Sequence, residues 1–133
     1  MESNAPKILL VGDDDSMRFT LAAMLRRLKI DVVFARGGSE ALDIVDEVAP
    51  DLILLDLMVP KLNGYQLLRA LRKSDERATP VIIVSAKKDP IDRHWAGKLG
   101  GASYVQKPFT FQEISQAIEQ AFAAGPSLAQ SQR

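Results

Sequence analysis

Short apolar runs alternate with amphipathic stretches along most of this chain. The runs cover residues 7–11, 31–34, 51–55, 80–84 and 102–105. The segments KILLV, DLILL and PVIIV consist almost entirely of β-forming apolar residues, which is typical of strands that are buried on both faces. The stretches between the runs carry apolar residues at helical spacing, as at Leu21, Leu25 and Leu28. The pattern therefore predicts five strands, each followed by a helix.

The predicted helices also carry start signals. Asp15 stands where a side chain can cap the first helix, and Thr110 with Glu113 has the spacing of a capping box before the fifth. The fourth predicted helix, over residues 89–99, has only a narrow apolar stripe that includes Trp95. Five βα units in a row predict an α/β fold, in which a parallel sheet is covered by helices on both faces.

Composition limits the chemistry open to this chain. The 133 residues contain no cysteine and one histidine, His94, so thiolate chemistry and multi-histidine metal sites are excluded. Seventeen basic residues balance seventeen acidic ones, so we expect no direct nucleic-acid or anionic-membrane binding. No long apolar segment or signal peptide is present, and we expect a cytoplasmic protein. One domain over residues 6–124 is predicted, with residues 1–5 and 125–133 disordered.

Polar side chains follow four of the predicted strands. The first strand leads into Asp13, Asp14 and Asp15, while the third strand ends at Asp56, the fourth at Ser85 and the fifth at Lys107. In a parallel α/β sheet these positions share one edge, where ligands bind. Clustered carboxylates favour a hard divalent cation, and a lysine beside a carboxylate and a hydroxyl suits a bound oxyanion. This set of side chains fits phosphoryl transfer to an aspartate.

The same residues resemble a known family, the receiver domains of two-component response regulators. The resemblance covers residues 6–124 and rests on four segments in order: the acidic cluster after KILLV, DLILLDLMVPKLNGYQLLRALR, VIIVSA and YVQKPF. It implies a flavodoxin-like (βα)5 fold with strand order 2-1-3-4-5. The stretch WAGKLGG resembles a subgroup of stand-alone receivers of chemotaxis-like systems that control twitching or phototactic motility.

The resemblance also implies roles for particular residues. Asp56 would be the phosphoacceptor, and Asp13, Asp56 and the Met58 carbonyl would coordinate Mg²⁺. Ser85 would be the switch hydroxyl and Lys107 the phosphate partner, with a cis peptide bond between Lys107 and Pro108. Tyr104 would be the rotating aromatic residue, although core packing also explains an aromatic residue there.

One position departs from the family pattern. Members carry two acidic residues after the first strand, and counting back from Arg18 puts Gly12 at the first and Asp13 at the second. Asp14 follows as a possible contributor to the acidic pocket. Loss of one carboxylate near the ion removes an attraction of roughly 3 kcal/mol, of which water restores part. We expect Mg²⁺ binding to be weakened by ~1–2 kcal/mol and not abolished.

The predicted function is a phosphorylation-controlled signalling module. A sensor histidine kinase or phosphotransfer protein would donate the phosphoryl group, and the domain would catalyse both its own phosphorylation and slow dephosphorylation, rather than act as a turnover enzyme. No output domain follows residue 124, so we expect the output to be a surface that binds a downstream protein.

Three alternatives remain open from the residues. A pseudo-receiver that binds its partner without phosphorylation would explain Gly12. A flavodoxin-like FMN protein would need a hydroxyl-rich loop after the first strand, where the acidic cluster would repel phosphate. A haloacid-dehalogenase-type phosphatase would match the spacing of Asp13 and Asp15, but it would leave Asp56 and Lys107 without roles.

Overall fold

The fold is built on a sheet of five parallel strands. The computed structural model describes residues 5–12, 14–56, 66, 69–71, 73, 79–85 and 103–124. The strands are β1 (Lys7–Val11), β2 (Asp31–Ala35), β3 (Leu52–Asp56), β4 (Val81–Ser85) and β5 (Ser103–Gln106). Their order in the sheet is β2-β1-β3-β4-β5, and all neighbours are parallel. The predicted fold class and strand order are confirmed.

The third and fourth strands end on polar residues just beyond their apolar runs. The third strand, β3, ends at Asp56, as predicted, and this residue lies opposite Val84. The fourth strand likewise ends at Ser85, opposite Gln106. Backbone pairing does not need an apolar side chain, so each ladder continues for one residue beyond its apolar run. This extension fixes the backbone of both polar residues within the sheet.

Three long helices are described in full: α1 (Asp15–Arg27), α2 (Gly38–Val48) and α3 (Phe111–Ala124), the last being the fifth predicted helix. Gln66, residues 69–71 and Lys73 are also helical, as predicted for the third helix. The fourth predicted helix with His94 and Trp95 lies outside the described residues, as do residues 1–4 and 125–133. No helix among the described residues is long and apolar enough to cross a membrane.

Apolar side chains cover both faces of the sheet. Alternate strand residues such as Ile8, Leu54 and Ile82 pack with α1 and α3 on one face, and a second cluster packs against α2 on the other. This second cluster contains Leu9, Val11, Ala35, Ala41, Val45, Ile53, Leu55, Leu71, Val81 and Ile83. Two-sided burial explains the nearly continuous apolar runs of the central strands. It also leaves the carboxyl edge of the sheet as the place where polar side chains collect.

The cap of α1 differs from the prediction, which was wrong by one residue. Asp14, and not Asp15, is the N-cap, because its Oδ1 accepts hydrogen bonds from the backbone N–H groups of Ser16 at 3.0 Å and Met17 at 3.3 Å. The Asp15 side chain instead pairs with Arg18 at 2.8 Å. The backbone accounts for the difference, because Asp14 is extended, with φ −88° and ψ 107°, whereas Asp15 already lies in the helix.

The capping box before α3 is confirmed. The backbone N–H of Glu113 donates to Oγ1 of Thr110 at 3.0 Å, and the backbone N–H of Thr110 donates to Oε1 of Glu113 at 2.8 Å. These reciprocal bonds satisfy two groups that a helix start leaves without intrahelical partners. They fix the start of α3 a few residues after β5.

A left-handed residue ends α2 and leads to a stability prediction. Ala49 has φ 49° and ψ 60°, and its N–H donates to the Val45 carbonyl at 2.9 Å. A Cβ is unfavourable in this conformation, whereas glycine adopts it readily. We expect Ala49→Gly to raise the free energy of unfolding by about 0.5–1 kcal/mol, as measured by urea denaturation.

The matched control is Ala23→Gly at an exposed position inside α1. Both substitutions increase the conformational entropy of the unfolded chain by the same amount. The difference between their effects on the free energy of unfolding therefore reports the backbone conformation at each position in the folded state. Ala23→Gly should lower stability by about 1 kcal/mol. Equal losses for the two variants would show that residue 49 is not left-handed in solution.

Candidate phosphoacceptor site

Two buried polar side chains lie at the carboxyl ends of neighbouring central strands. Asp56, the last residue of β3, is 6% exposed, and Ser85, the last residue of β4, is 2% exposed. The other residues of these two strands are apolar and buried. A carboxylate in such surroundings is costly unless a cation or hydrogen-bond donors compensate its charge. The sheet therefore buries a carboxylate and a hydroxyl at the carboxyl ends of two neighbouring strands.

Lys107 supplies the compensating cation for Asp56. Its Nζ lies 2.6 Å from Oδ1 of Asp56, and the side chains of the lysine and the aspartate are 11% and 3% exposed. The backbone N–H of Lys107 donates to the Ser85 carbonyl at 2.8 Å, which fixes the residue directly after β5. The peptide bond between Lys107 and Pro108 is cis, as predicted. Lys107 thus contacts the predicted phosphoacceptor Asp56 through its ammonium and the predicted switch residue Ser85 through its backbone.

Gly12 lies against the other side of Asp56. Its backbone N–H donates to the Ala35 carbonyl at 3.0 Å, continuing the pairing of β1 with β2. A Cβ built on Gly12 would be 3.0 Å from Cβ of Asp56 and 3.5 Å from its Oδ2. The first of these distances is shorter than van der Waals contact between carbon atoms. The absence of a side chain at Gly12 therefore leaves space beside the Asp56 side chain.

The aspartates that follow β1 have different roles in the structure. Asp14 caps α1 through Oδ1, and Asp15 is paired with Arg18. Asp13 and Met58 lie outside the described residues, so their predicted Mg²⁺ coordination stays a prediction. The part of the chain that the structure describes contains no group of three acidic or histidine side chains able to hold a metal ion.

The donor set nevertheless fits Mg²⁺. One oxygen of Asp56 is held by Lys107, and the other is directed toward the Gly12 side, next to Asp13 in the sequence. Carboxylate and carbonyl oxygens are the ligands that this hard cation prefers, and it retains several waters. The arrangement therefore allows Asp56 to face a lysine and a metal ion at the same time.

Tyr104 lies in β5 opposite Ile83 and is half-buried. Its side chain packs against the apolar cluster on the α2 face of the sheet. This position is three residues before Lys107, on the strand that leads to the ion pair. Both predicted explanations, core packing and a switching aromatic residue, are compatible with partial burial, and the switch role stays a prediction.

Two features of the structure were not predicted from the sequence. One is the close approach of Gly12 to Asp56. The absence of an acidic residue at position 12 predicts a loss of charge, but it does not predict a steric contact. The other is a surface cluster in which the Arg18 guanidinium lies 5.8 Å from the ring centre of Phe19 and 5.4 Å from that of Phe34. The signal for the second was Phe19 itself, a large apolar residue off the buried stripe of the first predicted helix.

Comparison with known proteins identifies the family. The model of the response regulator receiver domain matches residues 8–119. The transcriptional regulatory protein CpxR of Escherichia coli (strain K12) is 41% identical over 108 residues, which are 81% of this chain and 45% of CpxR. The DNA-binding response regulator MtrA of Mycolicibacterium smegmatis is 38% identical over 114 residues, which are 86% of this chain and 49% of MtrA. The chain thus spans about half the length of these curated relatives.

A solved structure agrees with this match. The receiver domain of the sensor histidine kinase PA1611 from Pseudomonas aeruginosa PAO1, with a magnesium ion coordinated in its active site cleft, superposes with a TM-score of 0.78 at 30% identity. The superposition covers 90% of this chain and 98% of that one. The stretch WAGKLGG lies outside the described residues, and its subgroup resemblance stays a prediction. Family match, strand order and fold together place this chain among the receiver domains of two-component response regulators.

Proposed function

We propose that this receiver domain accepts a phosphoryl group on Asp56 from a sensor histidine kinase or a phosphotransfer protein. The observation that carries the proposal is the buried Asp56 carboxylate, 2.6 Å from the Lys107 ammonium at the carboxyl edge of the sheet. An ammonium at this distance can follow a phosphoryl oxygen, because lysine is a compact and mobile point charge. Family membership supports the same assignment.

The chemistry is a nucleophilic displacement at phosphorus. An oxygen of the Asp56 carboxylate attacks the phosphorus of the donor's phosphohistidine, the P–N bond breaks, and the imidazole leaves with the bonding electron pair. Lys107 holds a phosphoryl oxygen whose charge is poorly solvated in this edge of the sheet. Slow hydrolysis, in which water attacks the phosphorus and the P–O bond to Asp56 breaks, returns the carboxylate and inorganic phosphate.

Mg²⁺ completes the proposed site. When bound, it neutralises charge on the phosphoryl oxygens, and we propose that Asp13, Asp56 and the Met58 carbonyl hold it. The divided roles of the acidic cluster support Asp13 as the direct ligand, because Asp14 caps α1 and Asp15 pairs with Arg18. Asp14 contributes charge near the pocket through its fixed position at the start of α1.

The proposed signal starts at Ser85 and Tyr104. Ser85 ends the strand next to β3, and its carbonyl accepts the bond from the Lys107 backbone. A phosphoryl group on Asp56 would draw the Ser85 hydroxyl toward it, and Tyr104 on the adjacent strand would repack. The surface around β5 and α3 is then the proposed output, read by a downstream protein. CpxR is a transcriptional regulatory protein and MtrA is a DNA-binding response regulator; in any longer protein a separate segment would provide such an activity.

The test is the intact mass of the wild-type chain after incubation with Mg²⁺ and acetyl phosphate. We expect one added phosphoryl group that is lost on brief treatment with base, as an acyl phosphate is. Chelation of the metal should slow the addition strongly. An unmodified mass under all conditions would favour the pseudo-receiver, which binds its partner without phosphorylation.

Gly12 allows a direct test of the metal site. Gly12→Asp should tighten Mg²⁺ binding about tenfold, since a further carboxylate near the ion contributes ~1–2 kcal/mol after water is displaced. Stability without metal should fall, because the new charge repels Asp56 and its Cβ must fit where the gap to Asp56 Cβ is 3.0 Å. Calorimetric titration with Mg²⁺ and urea denaturation measure the two effects.

Gly12→Asn is the matched control, because it adds nearly the same volume without the charge. It should lose stability through the close contact alone and show no gain in Mg²⁺ affinity. Equal Mg²⁺ affinities for wild type and Gly12→Asp would indicate that Asp14 already supplies the missing charge.

A further inference from the structure

An arginine, a glycine and the proposed acceptor aspartate form one row across three neighbouring strands. The ladders that join β1 to β2 and to β3 stay in register up to Val11. The backbone N–H of Gly12 donates to the Ala35 carbonyl, so the pairing of β1 with β2 continues beyond Val11. The next row therefore consists of Arg36, Gly12 and Asp56, with the glycine in the middle. Neighbouring strands are about 4.8 Å apart, which places the backbones of Arg36 and Asp56 about 10 Å from each other.

Alternation along the strands assigns both charged residues of this row to the same face of the sheet. The ring centre of Phe34, two residues before Arg36, lies 5.4 Å from the guanidinium of Arg18 in α1. Leu54, two residues before Asp56, packs in the apolar cluster that contains residues of α1 and α3. Residues two positions apart on a strand share a face, so Arg36 and Asp56 both belong to the α1 face. Arg36 is exposed, so its long side chain has room to extend over the edge of the sheet.

Gly12 leaves the space between Arg36 and Asp56 without a side chain. A Cβ at position 12 would lie 3.0 Å from Cβ of Asp56 and 3.5 Å from its Oδ2. An acidic residue at position 12 would fill this space, pair with the arginine and repel an anion on Asp56. No carboxylate of the described residues forms an ion pair with Arg36, whose backbone N–H donates to Oε1 of Glu40 at 2.6 Å. The guanidinium is therefore available to an anion beside Asp56.

We propose that Arg36 is a second phosphate-binding residue of this site, which reaches across Gly12 to an oxygen of the phosphoryl group on Asp56. The inference rests on the proposed phosphorylation of Asp56. A phosphoryl group brings nearly two negative charges and three acceptor oxygens. Lys107 approaches Asp56 from the β5 side of the sheet, so its ammonium leaves the β1 side to another cation. Arginine suits this position, because its guanidinium stays charged and its planar fork matches the geometry of phosphate oxygens.

The rate of phosphorylation by acetyl phosphate tests the proposal, with intact mass as the readout and Mg²⁺ at a concentration that saturates each variant. In this reaction an oxygen of Asp56 attacks the phosphorus, the P–O bond to the acetyl group breaks, and acetate leaves with the electron pair. Arg36→Ala should react about fivefold more slowly, because it removes one charge that attracts the anionic donor. Arg36→Lys should restore most of the rate. Arg26→Ala removes the same charge from an exposed position in the last turn of α1, and this control should react like wild type.

Two further measurements separate phosphate binding from a structural effect of Arg36. Added salt should slow wild type more than Arg36→Ala, because screening weakens the attraction between the guanidinium and the donor. In the Gly12→Asp background, Arg36→Ala should not slow the reaction, because the new carboxylate already pairs with the guanidinium.

The outcomes distinguish this inference from the proposed function. Equal rates for wild type and Arg36→Ala would overturn the inference while leaving Asp56 as the acceptor. An equal slowing by Arg36→Ala with aspartate at position 12 would do the same, because the arginine would then not act across the space at Gly12. A wild type that gains no phosphoryl group would overturn the proposed function itself, and this inference with it.

Discussion

Asp56→Asn is expected to gain no phosphoryl group under conditions in which wild type gains one. An amide oxygen is a far weaker nucleophile than a carboxylate, while asparagine keeps the shape of the side chain and an acceptor for the Lys107 ammonium, 2.6 Å away in wild type. The fold should therefore survive, so that the loss reports chemistry and not unfolding. Intact mass after incubation with Mg²⁺ and acetyl phosphate measures the result.

Asp46→Asn is the control for this substitution, because Asp46 is exposed on α2. It should be phosphorylated like wild type. Persistent modification of Asp56→Asn, at the wild-type rate, would place the acceptor at another residue. The acidic cluster after β1 would then be the first place to search.

Removal of Lys107 should have the largest effect on stability. The Asp56 side chain is 3% exposed, so Lys107→Ala leaves a buried carboxylate without its cation. Removing one partner of a buried pair costs about 3–5 kcal/mol, and we expect the free energy of unfolding to fall by about 3 kcal/mol near neutral pH. Urea denaturation measures this loss, with Lys73→Ala at an exposed helical position as control.

A double-mutant cycle distinguishes the ion pair from other effects of the lysine side chain. Asp56→Asn combined with Lys107→Ala removes both charges, so much of the lost stability should return. Additive losses in the double variant would show that Lys107 acts through packing. The ion pair would then contribute little to the folded state.

Lys107→Ala should also separate phosphorylation from its structural response. We expect the variant to accept a phosphoryl group on Asp56, since it retains the nucleophile, but to lose most of the change around Ser85 and Tyr104. Backbone NMR shifts of β4 and β5, before and after phosphorylation, measure that response. A wild-type response in the phosphorylated variant would exclude Lys107 as the coupling residue.

Much of this architecture is predictable because the central strands are buried on both faces. Two-sided burial gives unbroken apolar runs, and the positions just beyond those runs must meet at one edge of a parallel sheet. Asp56 and Lys107 are 51 positions apart along the chain, yet topology alone brings them to the same edge. Topology does not predict the ion pair between these two side chains, because a distance of 2.6 Å between Nζ and Oδ1 depends on side-chain conformation.

Three local details of the structure could not be predicted from the sequence, each for a physical reason. Three consecutive aspartates offer three possible caps for α1, and Asp14 is the cap because the backbone becomes helical at Asp15, a boundary that the sequence pattern does not fix. The contact of Gly12 with Asp56 depends on the spacing of neighbouring strands, which a sequence pattern does not carry. Surface contacts such as Arg18 with Phe34 join elements through side chains that no periodicity constrains.

The most direct test of the central claim is the location of the phosphoryl group on the wild-type chain. Borohydride reduces an acyl phosphate on aspartate to the alcohol of homoserine, and tandem mass spectrometry of the digested protein then identifies the modified residue. We predict homoserine at position 56 and at no other aspartate. Homoserine at position 13 or 14 with Asp56 unmodified would contradict the assignment of Asp56 as the phosphoacceptor.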